Sequence, residues 1–178
     1  MYAYQFLAMQ HIAEKNGWTK FISMQNYYNL IYREEEREML PACKESGVGV
    51  IPWSPIARGV LAKPLGESSL RSETDGFLRV LFANKLRESE SEIINRVEAL
   101  AKKKGVSMAQ IATAWCLAKD CKVNYNCANV TGVTAPIVGL NSEERIKEMV
   151  EAVNLELTEA EIKELEEPYV PRPVAGHS

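Results

Sequence analysis

The residues that could do chemistry gather where a β-branched run ends. Gly47-Val48-Gly49-Val50-Ile51-Pro52 leads directly into Trp53-Ser54-Pro55-Ile56-Ala57-Arg58-Gly59. A flat indole followed by a stiff turn and a glycine makes a wall for a planar ring with phosphates beside it. The same indole could equally cap an apolar core, and spacing alone leaves both readings open. The thiols and imidazoles form no site of their own. Cys43, Cys116, Cys121 and Cys127 show no paired CxxC spacing, and His11 and His177 are the only histidines that could join them. They read as small apolar thiols in a reducing compartment, with no metal site. Asn129-Val130-Thr131 has the form of a glycosylation sequon, but no secretory signal precedes it, so it reads as chance.

The elements that must position the indole alternate helix with strand. Tyr2 to Asn16 carries Phe6, Leu7, Met9, Ile12 and Ala13 on one face and is closed by Gly17; Phe21 to Gln25 is a short strand. Glu34 to Ser46 reads as a second helix with Met39, Leu40 and Cys43 inward, and Val48 to Trp53 as a buried parallel strand. A polar segment near Lys63 to Asp75 is long enough to be a functional loop. Ile93, Ile94, Val97, Leu100 and Ala101 recur at helical spacing, and Ser107-Met108-Ala109-Gln110 is a capping box for a helix through Trp115. Ala135 to Gly139 is a third strand, Ser142 to Val153 a helix, and Thr158 caps a last helix before a Pro-rich tail. Strand, crossover helix and strand in repetition predict parallel β/α units with active loops at the strands' carboxyl ends. Three strands cannot close a barrel, so the chain is expected to form one domain, 1–178, that is a partial (β/α)8 barrel with roughly its last three strands.

Bulk properties agree with a soluble protein. The chain has 178 residues and a formal net charge of −3, enough for one core. Basic residues are interleaved with acidic ones, which speaks against nucleic acid. No apolar run is long enough to span a bilayer, and the expected address is the cytoplasm.

Several segments together resemble the aldo-keto reductases, NADP(H)-dependent oxidoreductases on a (β/α)8 barrel, in the branch of fungal aryl-alcohol dehydrogenases and channel β subunits. The carriers are Met24-Gln25-Asn26-Tyr27-Tyr28-Asn29-Leu30, Gly49 to Gly59, Gly105-Val106-Ser107-Met108-Ala109-Gln110-Ile111-Ala112 and Pro136-Ile137-Val138-Gly139. The resemblance implies that Gln25 bonds the nicotinamide carboxamide and that Trp53 stacks on the ring. Ser54, Pro55, Ile56 and Gly59 would meet the pyrophosphate, with Arg58 and Arg71 reaching phosphates or standing in solvent. Gly139-Leu140-Asn141-Ser142-Glu143-Glu144-Arg145-Ile146-Lys147-Glu148 is similar to the family's adenosine-phosphate site. Helix N–H groups there attract an anion, and Arg145 can grip a 2′-phosphate bidentately, which favours NADP over NAD. Glu148, one turn on, would accept from the adenine amino group; an Arg145–Glu148 ion pair on a solvated helix is the plainer alternative. Met149 stands where the family usually has Asn.

No Asp, Tyr, Lys or His of this sequence matches the family's catalytic four. Tyr27, Tyr28 and Tyr32 lack a matching Lys–Asp pair, and a phenol of ordinary pKa near ~10 needs such neighbours to act as an acid. The chain is therefore expected to be the carboxyl-terminal part of a reductase of aldehydes, ketones or alcohols, holding cofactor residues without the proton donor. A non-catalytic nucleotide- or partner-binding remnant is the alternative. A third expectation is pairing of exposed barrel edges with a missing half or a second copy. Against the family that the chain resembles, residues 121–131 look like an insertion between the Trp115 helix and the Pro136 strand. Cys121-Lys122 and Ala128-Asn129 can be encoded by splice-like codons, so a translated intron is one origin, which sequencing the messenger would test.

Overall fold

A computed structural model describes residues 1–67, 86–119 and 132–175. Parallel strands form its centre. β1 (Ser23–Met24) lies parallel to β2 (Gly49–Val50), with Ser23 opposite Gly49 and Met24 opposite Val50. The ladder runs on past both: the N–H groups of Gly49, Ile51 and Trp53 donate to the carbonyls of Ile22 (2.9 Å), Met24 (2.9 Å) and Asn26 (2.8 Å). Alternate donors along one strand are the parallel pattern. On the other side of β2, Val133 and Ile137 bridge to Val50 and Trp53 in parallel. Thr134 and Ile137 donate to the carbonyls of Val50 and Pro52, both at 2.7 Å. Spatial order thus follows chain order, with β2 in the middle. The regular strands are shorter than the sequence predicts, and the third begins its pairing at Val133 rather than Ala135. Pro52 and Pro136 have no N–H to give, so the ladder is interrupted at both.

Gly49 is required by this central position. A β-carbon there would sit 3.0 Å from Thr134 Oγ1 and 3.6 Å from the Ile22 carbonyl oxygen, the two flanking segments.

The helices cover the sheet. α1 (Ala3–Lys15) precedes β1, and α2 (Met39–Glu45) lies in the crossover from β1 to β2. α3 (Glu88–Lys104) buries the whole predicted stripe of Ile93, Ile94, Val97, Leu100 and Ala101. α4 (Met108–Leu117) starts at the predicted box: Gln110 N donates to Ser107 Oγ at 3.1 Å, and Ser107 N donates to Gln110 Oε1 at 2.9 Å. α5 (Glu143–Ala152) and α6 (Glu159–Glu166) are capped by Ser142 and Thr158, as expected. Tyr28, Leu30, Ile31, Leu40, Ile111 and Trp115 are fully enclosed in the core between them.

One helix differs. The predicted Glu34–Ser46 helix is a 3-10 turn at Glu34–Glu36, a break at Glu38 (φ −140°), and then α2. Tertiary bonds draw the acidic side chains away from a regular helix. Glu34 Oε1 accepts from the Tyr169 hydroxyl (2.6 Å) and Arg172 N (2.7 Å). Glu36 accepts from Arg33 at 2.9 and 2.7 Å and from the Tyr28 hydroxyl at 2.6 Å. The Arg33 guanidinium also pairs with Glu166 at 3.1 Å, with the rings of Trp115 and Tyr169 5.8 and 5.3 Å away. Among the described residues no helix is long and apolar enough to cross a membrane. The predicted insertion 121–131 lies outside the described residues, as do 68–75 of the polar loop.

Candidate functional site

The turn after β2 and the start of α5, far apart in sequence, line one cleft of about 1080 Å³. That matches the upper end of small-molecule clefts, roughly 300–1,000 Å³. Ten of the twelve residues singled out from sequence line it: Trp53, Ser54, Pro55, Ile56, Arg58, Gly59, Gly139, Asn141, Arg145 and Glu148. Gln25 is exposed on the ladder of β1 and is not part of the lining. Arg71 lies outside the described residues.

Trp53 has two sets of neighbours. It lines the cleft, and its ring also packs on Tyr27 with centroids 4.6 Å apart at 39°. Tyr27 leans in turn on Tyr32, 4.9 Å away. Burial pushes the Tyr27 phenol up to about 12, and it also raises Tyr28 and Tyr32, with Glu36 adding to the rise at Tyr28. All three phenols keep their protons at neutral pH.

The turn itself is strained. Ser54, Ala57 and Arg58 have φ of 56°, 49° and 57°, a region that costs a residue with a side chain on the order of 1 kcal/mol each. Gly59 follows at φ 99°, with open space where a β-carbon would stand, so its backbone angle demands glycine rather than crowding. Ala57 N donates to the Ser54 carbonyl and Gly59 N to the Ile56 carbonyl, both at 2.9 Å, closing two overlapping turns. Such concentration of unfavourable backbone is typical of binding sites.

On α5, Arg145 N donates to Ser142 Oγ at 3.3 Å, and its guanidinium donates to Asn141 Oδ1 at 2.8 Å. The guanidinium is thus held over the exposed first turn rather than folded back onto Glu148. Glu144 is held below the usual carboxylate range by a bond to its own backbone N–H and by Ser142. Gln110 Nε2 donates to the Glu148 carbonyl at 3.0 Å and fixes α5 against α4. Met149, where the resemblance leads one to expect Asn, turns its sulfur to the Thr113 hydroxyl at 3.5 Å while still lining the cleft.

Sequence reasoning missed Lys63, which adds a third cation beside Arg58 and Arg145, with Glu148 the acidic member of the lining. It stands in a polar stretch that carries no motif, so only its place just after the Gly59 turn could have flagged it. Ala62, Ala109, Ile137 and Val138 were missed too; they are ordinary apolar residues that gain a role from position alone. The lining as a whole combines a flat aromatic face with three cations.

Comparison with known proteins bears on the family. The model of the Aldo/keto reductase family matches residues 4–169. The versiconal hemiacetal acetate reductase of Aspergillus parasiticus is 52% identical over 175 residues, covering 98% of this chain and 48% of that protein. A Schizosaccharomyces pombe protein bearing an aryl-alcohol dehydrogenase name is 51% identical over 178 residues, 99% of this chain and 46% of its own. An aldo-keto reductase of Fusarium vanettenii is 44% identical over 178 residues, 100% of this chain and 45% of its own. The chain spans about half the length of the curated relatives it matches.

Proposed function

Since the chain belongs to the aldo/keto reductase family, we propose that its cleft holds NADP(H) and serves oxidoreduction of small carbonyl or alcohol substrates. One observation carries this: a single cleft joins the Trp53 ring to the Arg145 guanidinium, with Arg58 and Lys63 also in its lining. The donor set fits the group. Trp53 offers a planar apolar face to a nicotinamide ring. Ser54, Pro55, Ile56 and Gly59 bring backbone close to the pyrophosphate, where turns of this kind form concavities for anions. Gly139 and Asn141 open the adenosine end, and Arg145 grips a 2′-phosphate while the first turn of α5 adds its dipole. Glu148 accepts from the adenine amino group. Gln25, outside the lining, is assigned to the carboxamide by resemblance alone.

When bound, the dinucleotide supplies or accepts the hydride. This chain's residues bind it, orient its ring and exclude water behind it. We assign the proton transfer elsewhere. Tyr27, Tyr28 and Tyr32 are held protonated by burial, which at Tyr27 outweighs the lowering by Arg172 and Arg58. The described parallel strands are taken as an arc of a (β/α)8 barrel whose other staves would carry that donor. Dinucleotide binding without turnover is the expected behaviour of the chain alone. The edge of β1, where Trp18, Phe21 and Ile22 are exposed, is then the seam at which the arc pairs with a second copy or a complementary half.

Titration with NADPH and NADH, read by quenching of tryptophan fluorescence, tests the assignment. NADPH should bind more tightly than NADH, and Arg145→Ala should remove most of that preference, about tenfold or more for a charge-assisted pair. Equal affinity for the two dinucleotides in the unaltered chain overturns the 2′-phosphate reading. Turnover on an aldehyde panel that copurifies with the chain overturns the assignment of proton transfer elsewhere.

A further inference from the structure

We propose that Asn29 is the positioning residue of this site: it holds the strained Ser54 turn through the Ser54 carbonyl and thereby sets dinucleotide affinity. The inference rests on the reading of the cleft as a dinucleotide site. Asn29 is wholly enclosed, although it belongs to a loop and lies 25 residues before its partner. Its Nδ2 donates to the Ser54 carbonyl oxygen at 3.1 Å. Its Oδ1 accepts from Ile31 N at 3.2 Å, the local turn that asparagine side chains favour. Its backbone N–H and carbonyl exchange bonds with Tyr32 at 3.1 and 3.0 Å. The Asn29 side chain also acts on Tyr27, lowering its phenol against the rise that burial imposes, and Tyr27 is the residue on which Trp53 packs.

Only an amide of this length serves all of these contacts. One side of the group must accept from its own loop while the other donates across to the next strand's loop. Aspartate has no donor to offer Ser54, and glutamine is a methylene too long for an enclosed site. The contact falls on the first residue of the turn with positive φ. A conformation that its own residues disfavour persists when surrounding structure over-determines it. Ala57 N–H bonds the same Ser54 carbonyl from inside the turn, so Asn29 supplies the hold from outside. Without that hold, the residues from Ser54 to Gly59 gain other conformations, and a ligand must select the binding one from among them.

Asn29→Asp tests this, because it keeps the acceptor for Ile31 and loses the donor to Ser54. Ile93→Val in α3, a buried truncation away from the cleft, is the stability-matched comparison. NADPH should bind Asn29→Asp at least tenfold more weakly while Ile93→Val binds as the unaltered chain does. Without cofactor, the amide resonances of Ser54 and Gly59 should broaden or move in Asn29→Asp and stay in place in Ile93→Val. Should Asn29→Asp not fold, Asn29→Ser removes the same bond without burying a carboxylate and takes its place. Unchanged Ser54 and Gly59 resonances overturn the proposal, as does unchanged NADPH affinity in a folded variant. If the unaltered chain does not bind NADPH, the dinucleotide reading fails, and the resonances still decide whether Asn29 holds the turn.

Discussion

At the scale of the residue, burial decides which reactive groups react. Cys43 and Cys116 are free thiols that burial pushes up to about 11 and about 12, Glu35 adding to the rise at Cys43. Since the thiolate is the nucleophile, native protein near neutral pH should leave both unlabelled by iodoacetamide, and urea should release both; peptide mass mapping separates them from Cys121 and Cys127. Trp53 is a different case, half-buried with one part of its ring on Tyr27 and another on the cleft. Trp53→Ala should weaken NADPH by a few-fold to tenfold, in line with about 0.5–1.5 kcal/mol for ring stacking, and Trp53→Phe should restore most of it. The indole was legible in sequence because strand, Pro, Trp and Pro stand side by side. Asn29 was not, although it sits in a motif that was noticed, because its partner Ser54 is supplied by the next β/α unit. A local pattern cannot reveal a bond that only the sheet's register creates.

At the scale of the element, caps carry the predictions. Thr158 Oγ1 accepts from Glu161 N at 3.2 Å, and Glu161 Oε2 accepts from Thr158 N at 2.9 Å. Lys104 pairs with the same carboxylate at 3.0 Å. Thr158→Ala should cost about 1 kcal/mol, read as a lower Tm. The backbone bond from Thr158 is the largest cause that lowers Glu161 from an ordinary 4.5 to about 2. A depressed carboxylate contributes stability that is complete above its unfolded value and is lost as pH falls. The loss should therefore lie between about 4.5 and about 2, and Glu161→Gln should flatten urea-measured stability across that window while lowering it at neutral pH. These caps were readable because donor and acceptor are three residues apart. The Glu34–Ser46 region is the opposite case: acidic residues with helical spacing gave way to the tertiary partners Tyr169 and Arg172 and to Arg33, three residues before Glu36, which draw the first turn out of the helix. Two of those three lie far outside any local window.

At the scale of the whole molecule, behaviour turns on what covers the sheet's edge. Among the described residues β1 pairs on one side only, with β2. Beside it Trp18, Phe21 and Ile22 are 64%, 52% and 82% exposed. Gln10 takes up the Phe21 N–H and carbonyl at 2.8 and 3.0 Å, but a parallel strand with one open edge beside bulky apolar side chains still invites another chain to continue the ladder. Lys20, between Trp18 and Phe21, does little to blunt the edge, since its charge is met by Glu14 at 3.4 Å. Sedimentation across a range of concentrations should therefore show reversible association. Ile22→Lys should shift it to monomer with little change in Tm, because an 82%-exposed side chain contributes little to the core. A monomer at every concentration would remove the second copy as occupant and leave a complementary half as the remaining one. The two cases also differ in chemistry. A second copy repeats the same cleft without adding a proton donor, so association by itself should leave aldehyde reduction undetectable, whereas adding the amino-terminal half of a family member should bring turnover and monodispersity together.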